Sequence, residues 1–544
     1  MKLVSVSEMQ QVERQADASG LTYAQMMENA GTSLAEILHA EYAAGVPGTV
    51  LALVGPGNNG GDALVALAWL ASQGWQAHAY LVRPREEEDP LIERLQKAGG
   101  QVHGREKDKN FSRLSALIEA SNLLLDGVLG TGARLPLKQE VAEVLSFVKE
   151  VLGHKPGGML PVVAVDCPSG VDCDTGQAAP ECLRADLTVT MAAVKQGLLR
   201  FPAADLTGGL RIANIGNLEK LKAWKSLNRF VVEDVWVQKA LPARPRTSHK
   251  GTFGTALIVA GSVNYTGAAW LAGQAAYRSG AGMVTLAVPF PLHQALAGQF
   301  PEATWLLLPD ELGVIAETAV QVVQEGLQRA TALLVGPGFG LEDTTQRFLD
   351  NLLGAANPQR KALGFAPQAQ EPPGRDHSPL PPLVVDADGL KLLSRLKDWP
   401  ARLPAPAVLT PHPGEMAVLT GLEKEELMSD RLETAEHYAR KWGHVVVFKG
   451  AFTIIASPDG RTAVIPVATP ALARAGTGDV LAGLIVGLRA QGMEAFEAAV
   501  AGAWIHAQAG LQAEKDLGSS ASVLAGDVLR AVTSQMAFFS SLAR

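Results

Sequence analysis

The chain has 544 residues, of which 47% are hydrophobic, and its formal net charge is −8. This length exceeds one ordinary domain and predicts two or three domains. The acidic balance argues against a nucleic-acid-binding protein, which needs a basic face, and the most apolar stretch, 495–512, is interrupted by Glu497 and His506. Because the N-terminus lacks the long apolar region of a signal peptide, we expect a cytoplasmic protein.

Short apolar runs alternate with helical stretches in the first part of the chain, after two predicted helices within 7–45. The predicted strands are Thr49–Val54, Gln76–Val82, Leu123–Asp126, Val162–Asp166, Leu187–Met191 and Leu210–Ala213. The predicted helices are Ala63–Ser72, 88–98 and 140–151. This alternation predicts an α/β domain, Rossmann-like, with three αβα layers and a mostly parallel sheet.

Polar loops follow three of these strands. They are the glycine-rich stretch 55–62, the stretch after Asp126, and the stretch Asp166–Asp172. The carboxyl ends of parallel strands meet at one rim of a sheet, so we expect the three loops to lie together. Their oxygen atoms suit a hard cation and their glycine N–H groups suit phosphates. Each loop alone has the composition of an ordinary turn, but three at successive strand ends favour a site.

Three cysteines lie close together in the sequence, at Cys167, Cys173 and Cys182. Three is an odd number, and no CxxC or neighbouring histidine completes a zinc site. We therefore expect reduced thiols.

The composition changes between the two halves, and we place the domain boundary within 216–235. Leu218–Trp224 is charged and predicted to be helical, and 241–247 is a Pro/Arg-rich connector. The expected division is a first domain at 1–220, a linker at 221–246 and a second domain at 247–544.

The second half shows the same alternation without a detectable sequence repeat of the first. Its predicted strands are Thr255–Ala260, 283–288, Leu333–Val335, Leu383–Asp386, Ala407–Thr410 and Val445–Phe448. Its predicted helices are 268–279, 479–490, 495–513 and 523–537. The proline-rich segment 355–382 reads as a loop to which we assign no chemistry.

The stretch Ala475–Asp479 combines a glycine turn, the start of a helix and one acid. Unpaired N–H groups at a helix start attract an anion such as phosphate, and Asp479 is placed to take a proton from a hydroxyl. The loop contains no Arg or Lys and the chain has no Walker motif, so we expect backbone N–H groups and a metal to neutralise phosphate. An ordinary capped helix is the alternative. His412, between two prolines at a strand end, is as easily functional as structural.

Several motifs together resemble one family. Gly55–Asp62 and Asp166–Asp172 are similar to the epimerase domain for hydrated nicotinamide cofactors. The motifs Lys250–Gly254, Thr410–Glu415, Lys449–Thr453 and Gly476–Asp479 resemble an ADP-dependent dehydratase with a ribokinase-like α/β fold. In this order they resemble the bifunctional NAD(P)H-hydrate repair enzymes, over nearly the whole chain.

The resemblance implies a function and a set of site residues. The first domain would interconvert the R and S epimers of the hydrates NADHX and NADPHX, and the second would dehydrate the S form with ADP, giving AMP and phosphate. The positions matching a potassium site are Asn59, Asp126 and Ser169. Those matching hydrate contacts in the first domain are Asn58, Asn59, Gly60, Gly61, Asp62, Gly130, Thr131, Gly132, Ala133, Arg134, Leu135, Pro136 and Asp166. In the second domain, Ala268, Gly338, His412 and Asp479 match hydrate contacts, and Lys449, Gly450, Ala451, Phe452, Thr453 and Gly478 match nucleotide contacts.

These positions imply catalytic roles, cofactors and an assembly. Asp479 would be the base of a kinase-like step with Mg²⁺, and K⁺ would belong to the first domain. Asp166 is our candidate acid/base for epimerisation and Lys195 a weaker one, although we favour the interpretation that Lys195 is a surface lysine. The implied assembly is a homo-oligomer, a tetramer or larger, with no nucleic-acid or membrane partner. Two departures, Ala63 and Ala475 in place of common glycines, touch no reacting atom.

Two other readings stay open from the residues alone. The first is an ordinary small-molecule kinase with a cofactor-binding regulatory domain, which the acids Asp126 and Asp166 beside Asn59 disfavour. The second is a non-enzymatic binding module, which the acidic charge and the intact second half disfavour.

Overall fold

The computed structural model describes residues 1–43, 47–86, 88–154, 160–355 and 380–542. The chain forms two compact units, Met1–Phe230 and Val231–Arg544. Most of the proline-rich segment, 356–379, lies outside the described residues. Within the described ranges, no helix combines the length and apolar character that a bilayer crossing needs.

The first unit contains nine strands and eight α-helices among its described residues, joined by short 3₁₀ turns at Arg105–Lys107 and Gln196–Leu199. The strands are β1 Leu3–Val4, β2 Thr49–Val54, β3 Gln76–Leu81, β4 Gln101–Gly104, β5 Leu123–Gly127, β6 Val162–Val165, β7 Leu187–Met191, β8 Val194–Lys195 and β9 Gly209–Ala213. The helices are α1 Val6–Ala18, α2 Tyr23–Tyr42, α3 Asn58–Ser72, α4 Pro90–Lys97, α5 Ser112–Ala120, α6 Gln139–His154, α7 Ala204–Thr207 and α8 Lys222–Lys225.

Seven of these strands form one sheet in the order β4-β3-β2-β5-β6-β7-β9, and every pairing is parallel. Successive residues of β2 pack into two hydrophobic cores, one on each face of the sheet, because successive side chains point to opposite faces of a strand. Val50 and Val54 pack with α1, α2 and α3, whereas Leu51 and Leu53 pack with α5 and α6. Helices therefore cover both faces, which confirms the predicted three-layer α/β architecture.

The second unit is built on a ten-stranded sheet. The remaining strands of the chain are β10 Arg229–Val231, at the division between the units, β11 Thr255–Val259, β12 Met283–Pro289, β13 Thr304–Leu308, β14 Asp310–Glu311, β15 Val314–Ile315, β16 Ala332–Val335, β17 Leu383–Val385, β18 Val408–Leu409, β19 Val445–Phe448, β20 Ile454–Ala456 and β21 Thr462–Val464. The sheet order is β10-β21-β20-β19-β18-β17-β16-β11-β12-β13, and the pairings from β19 to β13 are parallel. Strands β20 and β21 extend it with antiparallel pairings, and β14 and β15 form a separate antiparallel pair.

Helices cover this sheet, and α18 packs on β11, β16 and β17 with α10 and α19 beside it. The helices of the unit are α9 Asp234–Ala240, α10 Thr266–Arg278, α11 Phe290–Leu296, α12 Val320–Leu327, α13 Asp343–Ala355, α14 Asp388–Ser394, α15 Pro413–Thr420, α16 Lys424–Ser429, α17 Arg431–Trp442, α18 Thr477–Ala490, α19 Ala495–Leu517 and α20 Ala525–Leu542. Its 3₁₀ turns are Lys250–Phe253, Ala297–Gln299, Glu317–Ala319, Trp399–Arg402, Pro470–Leu472 and Ser520–Ser522. The unit is an α/β domain, as predicted.

Three sequence predictions need correction. The loop predicted at 58–62 is the start of α3, because Gly60 and Gly61 let the helix begin pressed against the strand loop and Met27. The helix predicted at Leu218–Trp224 is reduced to Lys222–Lys225. The stretch 221–246, predicted as a linker, contains α8, β10 and α9.

Candidate active sites

The loops after β2, β5 and β6 lie at one rim of the first sheet, because these strands are neighbours and parallel. At this rim Asp126, which is 1% exposed, accepts hydrogen bonds from the Ser169 backbone N–H at 2.8 Å and the Ser169 hydroxyl at 2.5 Å. Burial raises the pKa of Asp126, and the bonds from Ser169 oppose that rise. The structure thus brings two of the predicted metal ligands into direct contact.

Asn59 is the third residue at this position. Its backbone packs on Gly127, and a Cβ added to Gly130 would lie 3.3 Å from its amide oxygen. Both polar atoms of the Asn59 side chain are buried, and neither has a hydrogen-bond partner among the described residues. A buried amide without partners is rare in folded proteins and costs free energy unless a ligand or ion completes it.

Asp166, directly after β6, has a left-handed backbone with φ of 65°. Three donors reach its Oδ1 atom: the Thr190 hydroxyl at 3.1 Å, the Met191 N–H at 3.0 Å and the Lys195 ammonium. No hydrogen bond reaches its Oδ2 atom from the described residues, so that oxygen stays open to a ligand. The strained backbone is held by these contacts, as is common at functional positions.

Lys195 is not the surface lysine that we expected. Its side chain is 1% exposed and donates to the Thr190 hydroxyl at 3.0 Å and to the Met191 carbonyl at 2.9 Å, in addition to Asp166. The sequence analysis misplaced it because strand β8 is only two residues long and is set by pairing with β1, where Val4 is the partner of Lys195.

Two more carboxyl groups share the surroundings of this ion pair. Burial is the main cause that raises the pKa of Asp62 well above its ordinary value, and the negative charge of Asp166 adds to the rise. Burial also raises the pKa of Glu13 on α1, while the Lys195 ammonium opposes the rise. Glu13 was missed in the sequence analysis, because nothing in its helical surroundings distinguishes it from a solvent-facing acid.

The other residues predicted to contact the hydrate in the first unit lie at the start of α3 and in the segment 130–136. Asn58, Gly60 and Gly61 belong to the first turn of α3. The segment 130–136 is a turn, closed by a hydrogen bond from the Ala133 N–H to the Gly130 carbonyl at 3.0 Å, and most of its residues are exposed. The three cysteines nearby are buried free thiols.

Helix α18 of the second unit begins at Thr477, after Gly476, whose φ of 88° favours glycine. Asp479 therefore lies in the first turn, beside N–H groups that have no intrahelical partner. Burial raises the pKa of Asp479 to about 7, and the negative charge of Asp386 contributes further, while the Lys449 ammonium opposes the rise. A carboxyl with this pKa exchanges protons near neutral pH.

Lys449 brings a cation to this helix start, in addition to the backbone N–H groups that were expected to face phosphate there. Its ammonium lies 2.8 Å from the Asp386 carboxylate and 3.6 Å from Glu415, and a Cβ added to Gly478 would be 3.5 Å from it. Although burial lowers the pKa of Lys449, the attraction of Asp386 and Glu415 outweighs it, so the net shift is upward. The Thr410 hydroxyl donates to Asp386 at 2.6 Å. A local sequence pattern cannot show that Lys449, about thirty residues before Gly478 in the chain, lies beside it in the fold.

His412 is the N-cap of α15, so the predicted rigid strand-end loop is in part a helix start. Its Nδ1 atom accepts from the N–H groups of Gly414 and Glu415 at 3.0 and 3.2 Å, and its Nε2 atom lies 3.3 Å from the Glu415 carboxylate. Burial lowers the pKa of His412, which favours the neutral ring, although the Glu415 charge opposes that. The side chain is 50% exposed and open to a ligand.

Ala268 and Gly338 meet at the same rim, because a Cβ added to Gly338 would lie 2.9 Å from the Ala268 Cβ. Gly338 follows β16 and has a φ of 65°. The adjoining Gly340 N–H donates to Asp388 at 3.0 Å. Residues predicted from five separate stretches of the chain are thus placed after parallel strands of one sheet and at the starts of α10 and α18.

Two α/β units, each with a polar rim that carries a partly buried acid beside a lysine, define a two-site enzyme. The family model for the YjeF-related protein N-terminus matches residues 23–197, and the model for NAD(P)H-hydrate dehydratase matches residues 256–533. A solved structure of an ADP/ATP-dependent NAD(P)H-hydrate dehydratase from Bacillus subtilis is 29% identical, with a TM-score of 0.44, covering 56% of this chain and 96% of that one.

Full-length relatives agree with these matches. The bifunctional NAD(P)H-hydrate repair enzyme Nnr of Moorella thermoacetica is 36% identical and is covered for 95% of its length by 97% of this chain. The relative of the same name from Thermofilum pendens is 34% identical, over 95% of this chain and 93% of its own. The chain belongs to the family of bifunctional NAD(P)H-hydrate repair enzymes.

Proposed function

We propose that this chain repairs hydrated nicotinamide cofactors with two separate sites. The first unit interconverts the R and S epimers of NADHX and NADPHX, and the second dehydrates the S epimer with ADP as phosphoryl donor. The observation that carries the proposal is the buried acid–lysine arrangement at each rim, in a chain whose relatives share both halves.

Epimerisation needs a base and an acid at one carbon. Ring opening breaks the C6–N bond: the C6 hydroxyl loses its proton and becomes a carbonyl, and the ring nitrogen takes up a proton. Re-closure on the other face of that carbonyl re-forms the C6–N bond, and the two proton transfers run in reverse. Asp166, with one oxygen held by Lys195 and the other open, serves as the base. Asp62, in the first turns of α3, matches a hydrate contact, and burial raises the pKa of its carboxyl well above its ordinary value, which favours the protonated form. Carboxyl groups in contrasting surroundings are what acid–base exchange requires.

A potassium ion fits the residues at Asn59, Asp126 and Ser169. The unpartnered Asn59 amide oxygen, the buried Asp126 carboxylate and the Ser169 hydroxyl supply one negative charge and neutral oxygens, which suits a monovalent ion. When bound, the ion would supply positive charge near the substrate. The chain's own contribution is the pair Gly127 and Gly130, which pack against the backbone and the side chain of Asn59. The segment 130–136 would cover the bound hydrate.

Dehydration is a kinase-like step in the second unit. Asp479 takes the proton of the C6 hydroxyl as that oxygen attacks the terminal phosphorus of ADP, and the phosphorus–oxygen bond to AMP breaks. The phosphate then leaves C6 with its bonding electrons, pushed out by the ring nitrogen lone pair. The C5 proton passes to water, and its bonding electrons restore the double bond and the nitrogen lone pair. Lys449 and the N–H groups at Gly478 stabilise the transferring charge. Ala268, Gly338 and His412 would contact the hydrate.

Mg²⁺ fits this site as an ion carried by the nucleotide phosphates. Such an ion needs only one or two carboxylates and keeps several waters, and Asp386 and Asp388 lie at the rim. The described residues include no cluster of three or more His, Cys, Asp or Glu arranged to hold a metal. When bound, Mg²⁺ would neutralise phosphate charge.

The test is incubation of the purified protein with a mixture of NADHX epimers and ADP while the NADH absorbance is followed. We expect complete conversion with ADP, and none beyond the spontaneous rate without a nucleotide. ATP in place of ADP measures nucleotide preference, and NADPHX in place of NADHX measures cofactor preference. Failure of NADH to return with either nucleotide would refute the proposal. Light scattering of the same sample tests the predicted tetramer or larger assembly.

A further inference from the structure

Arg431, the first residue of α17, holds the backbone of the loop Lys449–Thr453. Its Nη2 atom donates to the carbonyls of Phe448 at 3.0 Å and Lys449 at 3.2 Å, and its Nη1 atom donates to the carbonyl of Ala451 at 2.5 Å. The guanidinium carbon lies 5.0 Å from the centre of the Phe448 ring. Three carbonyls, one from the end of β19 and two from the loop, therefore converge on a single side chain.

This contact decides where the N–H groups of the loop point. In a trans peptide the C=O and N–H bonds are antiparallel, so directing the Lys449 carbonyl toward Arg431 turns the Gly450 N–H away from it. The N–H groups of Lys449 and Phe452 donate to Pro411 and Val467 at 2.9 and 3.0 Å. The Gly450 N–H makes no hydrogen bond to any described residue, so it is free to donate to an anion.

Gly450 and Arg431 depend on each other. Gly450 has a φ of 146°, and a Cβ there would lie 2.9 Å from the Nη2 atom of Arg431. The Lys449 backbone is held at both ends, by Pro411 through its N–H and by Arg431 through its carbonyl, and from it the ammonium reaches Asp386. Burial lowers the pKa of Arg431 to about 10, which leaves it a cation at neutral pH.

We propose that Arg431 is a positioning residue for the nucleotide: it orients the loop so that the Gly450 N–H and the Lys449 ammonium face the diphosphate of ADP. This inference rests on the proposed dehydratase function. Three of the five guanidinium N–H donors of Arg431 are engaged by the three carbonyls, so we assign it a role through the loop rather than a direct contact with the phosphates. A lysine cannot replace it, since a single ammonium lacks the planar fork that spans separated acceptors.

The test compares Arg431→Lys and Arg431→Gln with the wild type in the full-length chain. We expect KM for ADP and the directly measured Kd for ADP to rise about tenfold or more, with KM for the hydrate and the epimerisation rate within about twofold. A purely structural role would change these quantities together or change only the melting temperature. Unchanged ADP affinity in Arg431→Lys, or an equal rise of both KM values, would overturn the inference.

Arg489→Lys is the matched control. Arg489 is also buried, donates to a backbone carbonyl, that of Met493, and lies at the far end of α18 from Gly478. We expect this variant to lose stability but to keep the wild-type affinity for ADP. Calorimetric ADP binding separates the two proposals: a wild type that binds ADP without forming NADH refutes the function and leaves the Arg431 comparison valid. A wild type that binds no ADP overturns the inference.

Discussion

At the scale of single residues, the acids Asp166 and Asp479 at the two rims differ in the charged groups that surround them. Asp166 is held by a buried ammonium, whereas Asp479 lies among Asp386, Asp388 and Glu415 with Lys449 as the main opposing charge. The second arrangement, together with burial, raises the proton affinity of the Asp479 carboxyl. Each arrangement can be tested by one substitution.

Asp479→Asn should lower ADP-dependent dehydration by about 10²-fold or more, because the amide cannot accept the hydroxyl proton. In the wild type the dehydration rate should rise with pH through about 7 and then level, since the pKa of Asp479 is about 7. Both are measured as initial rates of NADH return at saturating ADP. Wild-type dehydration by the variant would remove Asp479 from the mechanism.

The same carboxyl should lower stability as it ionises. Its pKa is raised from 3.8 to about 7 by folding, so the folded state binds its proton more tightly than the unfolded state. The wild type should therefore lose stability, by about 1 kcal/mol or more, relative to Asp479→Asn as pH rises from about 4 to about 7. Urea unfolding at several pH values checks this. A constant difference between the two proteins across this range would contradict the assignment.

Lys195→Met should lower epimerisation by about 10²-fold, because Asp166 loses the ammonium that orients and neutralises it. Dehydration of the pure S epimer should be unchanged, which shows that the chain is still folded. Lys149→Met is the control, since Lys149 is an exposed lysine of the same unit that donates to the Pro180 carbonyl. Equal epimerisation rates in the two variants would contradict a role for Lys195.

At the scale of elements, the first site depends on the passage from β2 into α3. Gly55 and Gly60 approach each other so closely that a Cβ on Gly60 would lie 2.1 Å from the Gly55 carbonyl oxygen. Arg85 closes the same turn by donating to the carbonyls of Gly55 at 2.8 Å and Gly57 at 3.2 Å. The turn thereby sets the position of Asn59 and the start of the helix.

Gly60→Ala should abolish most epimerisation and its dependence on K⁺, because the added methyl group displaces the first turn of α3 and with it Asn59. We expect a stability loss of about 1–3 kcal/mol. Gly57→Ala is the control, since a Cβ there meets nothing within 4 Å. The measurement is the epimerisation rate in K⁺ and in Na⁺ buffers. A K⁺ response in Gly60→Ala equal to that of Gly57→Ala would contradict this account.

At the scale of the whole molecule, all predicted residues of one site belong to Met1–Phe230 and all those of the other to Val231–Arg544. The two activities should therefore complement each other in trans. Asp166→Asn alone should consume only the S epimer at early times, and Asp479→Asn alone should consume neither. An equimolar mixture should consume both, at a rate that rises with protein concentration. Absence of R consumption by the mixture would show that the two sites must share one chain.

The sequence by itself predicted most core strands, several to the residue, because apolar runs between glycine turns are local signals. Thr49–Val54 and Leu187–Met191 have the predicted bounds. The edge strands β4, β10 and β13 and the helices α5 and α17 were not predicted, since short or mixed-polarity segments acquire their structure from packing. The predicted site residues Asp126, Ser169 and Asn59 do converge, because parallel strands deliver their carboxyl ends to one rim.

Only the tertiary structure decided which charges are buried and which groups they face. Lys195 is the ion-pair partner of Asp166 because β8 pairs with β1, and Lys449 lies against Gly478 because β19 and the start of α18 share a rim. Glu13 and Arg431 have no sequence signal, since their roles depend on residues far away in the chain. Local patterns encode strands and turns, whereas burial, electrostatic neighbours and proton affinity depend on contacts that form only when distant segments pack together.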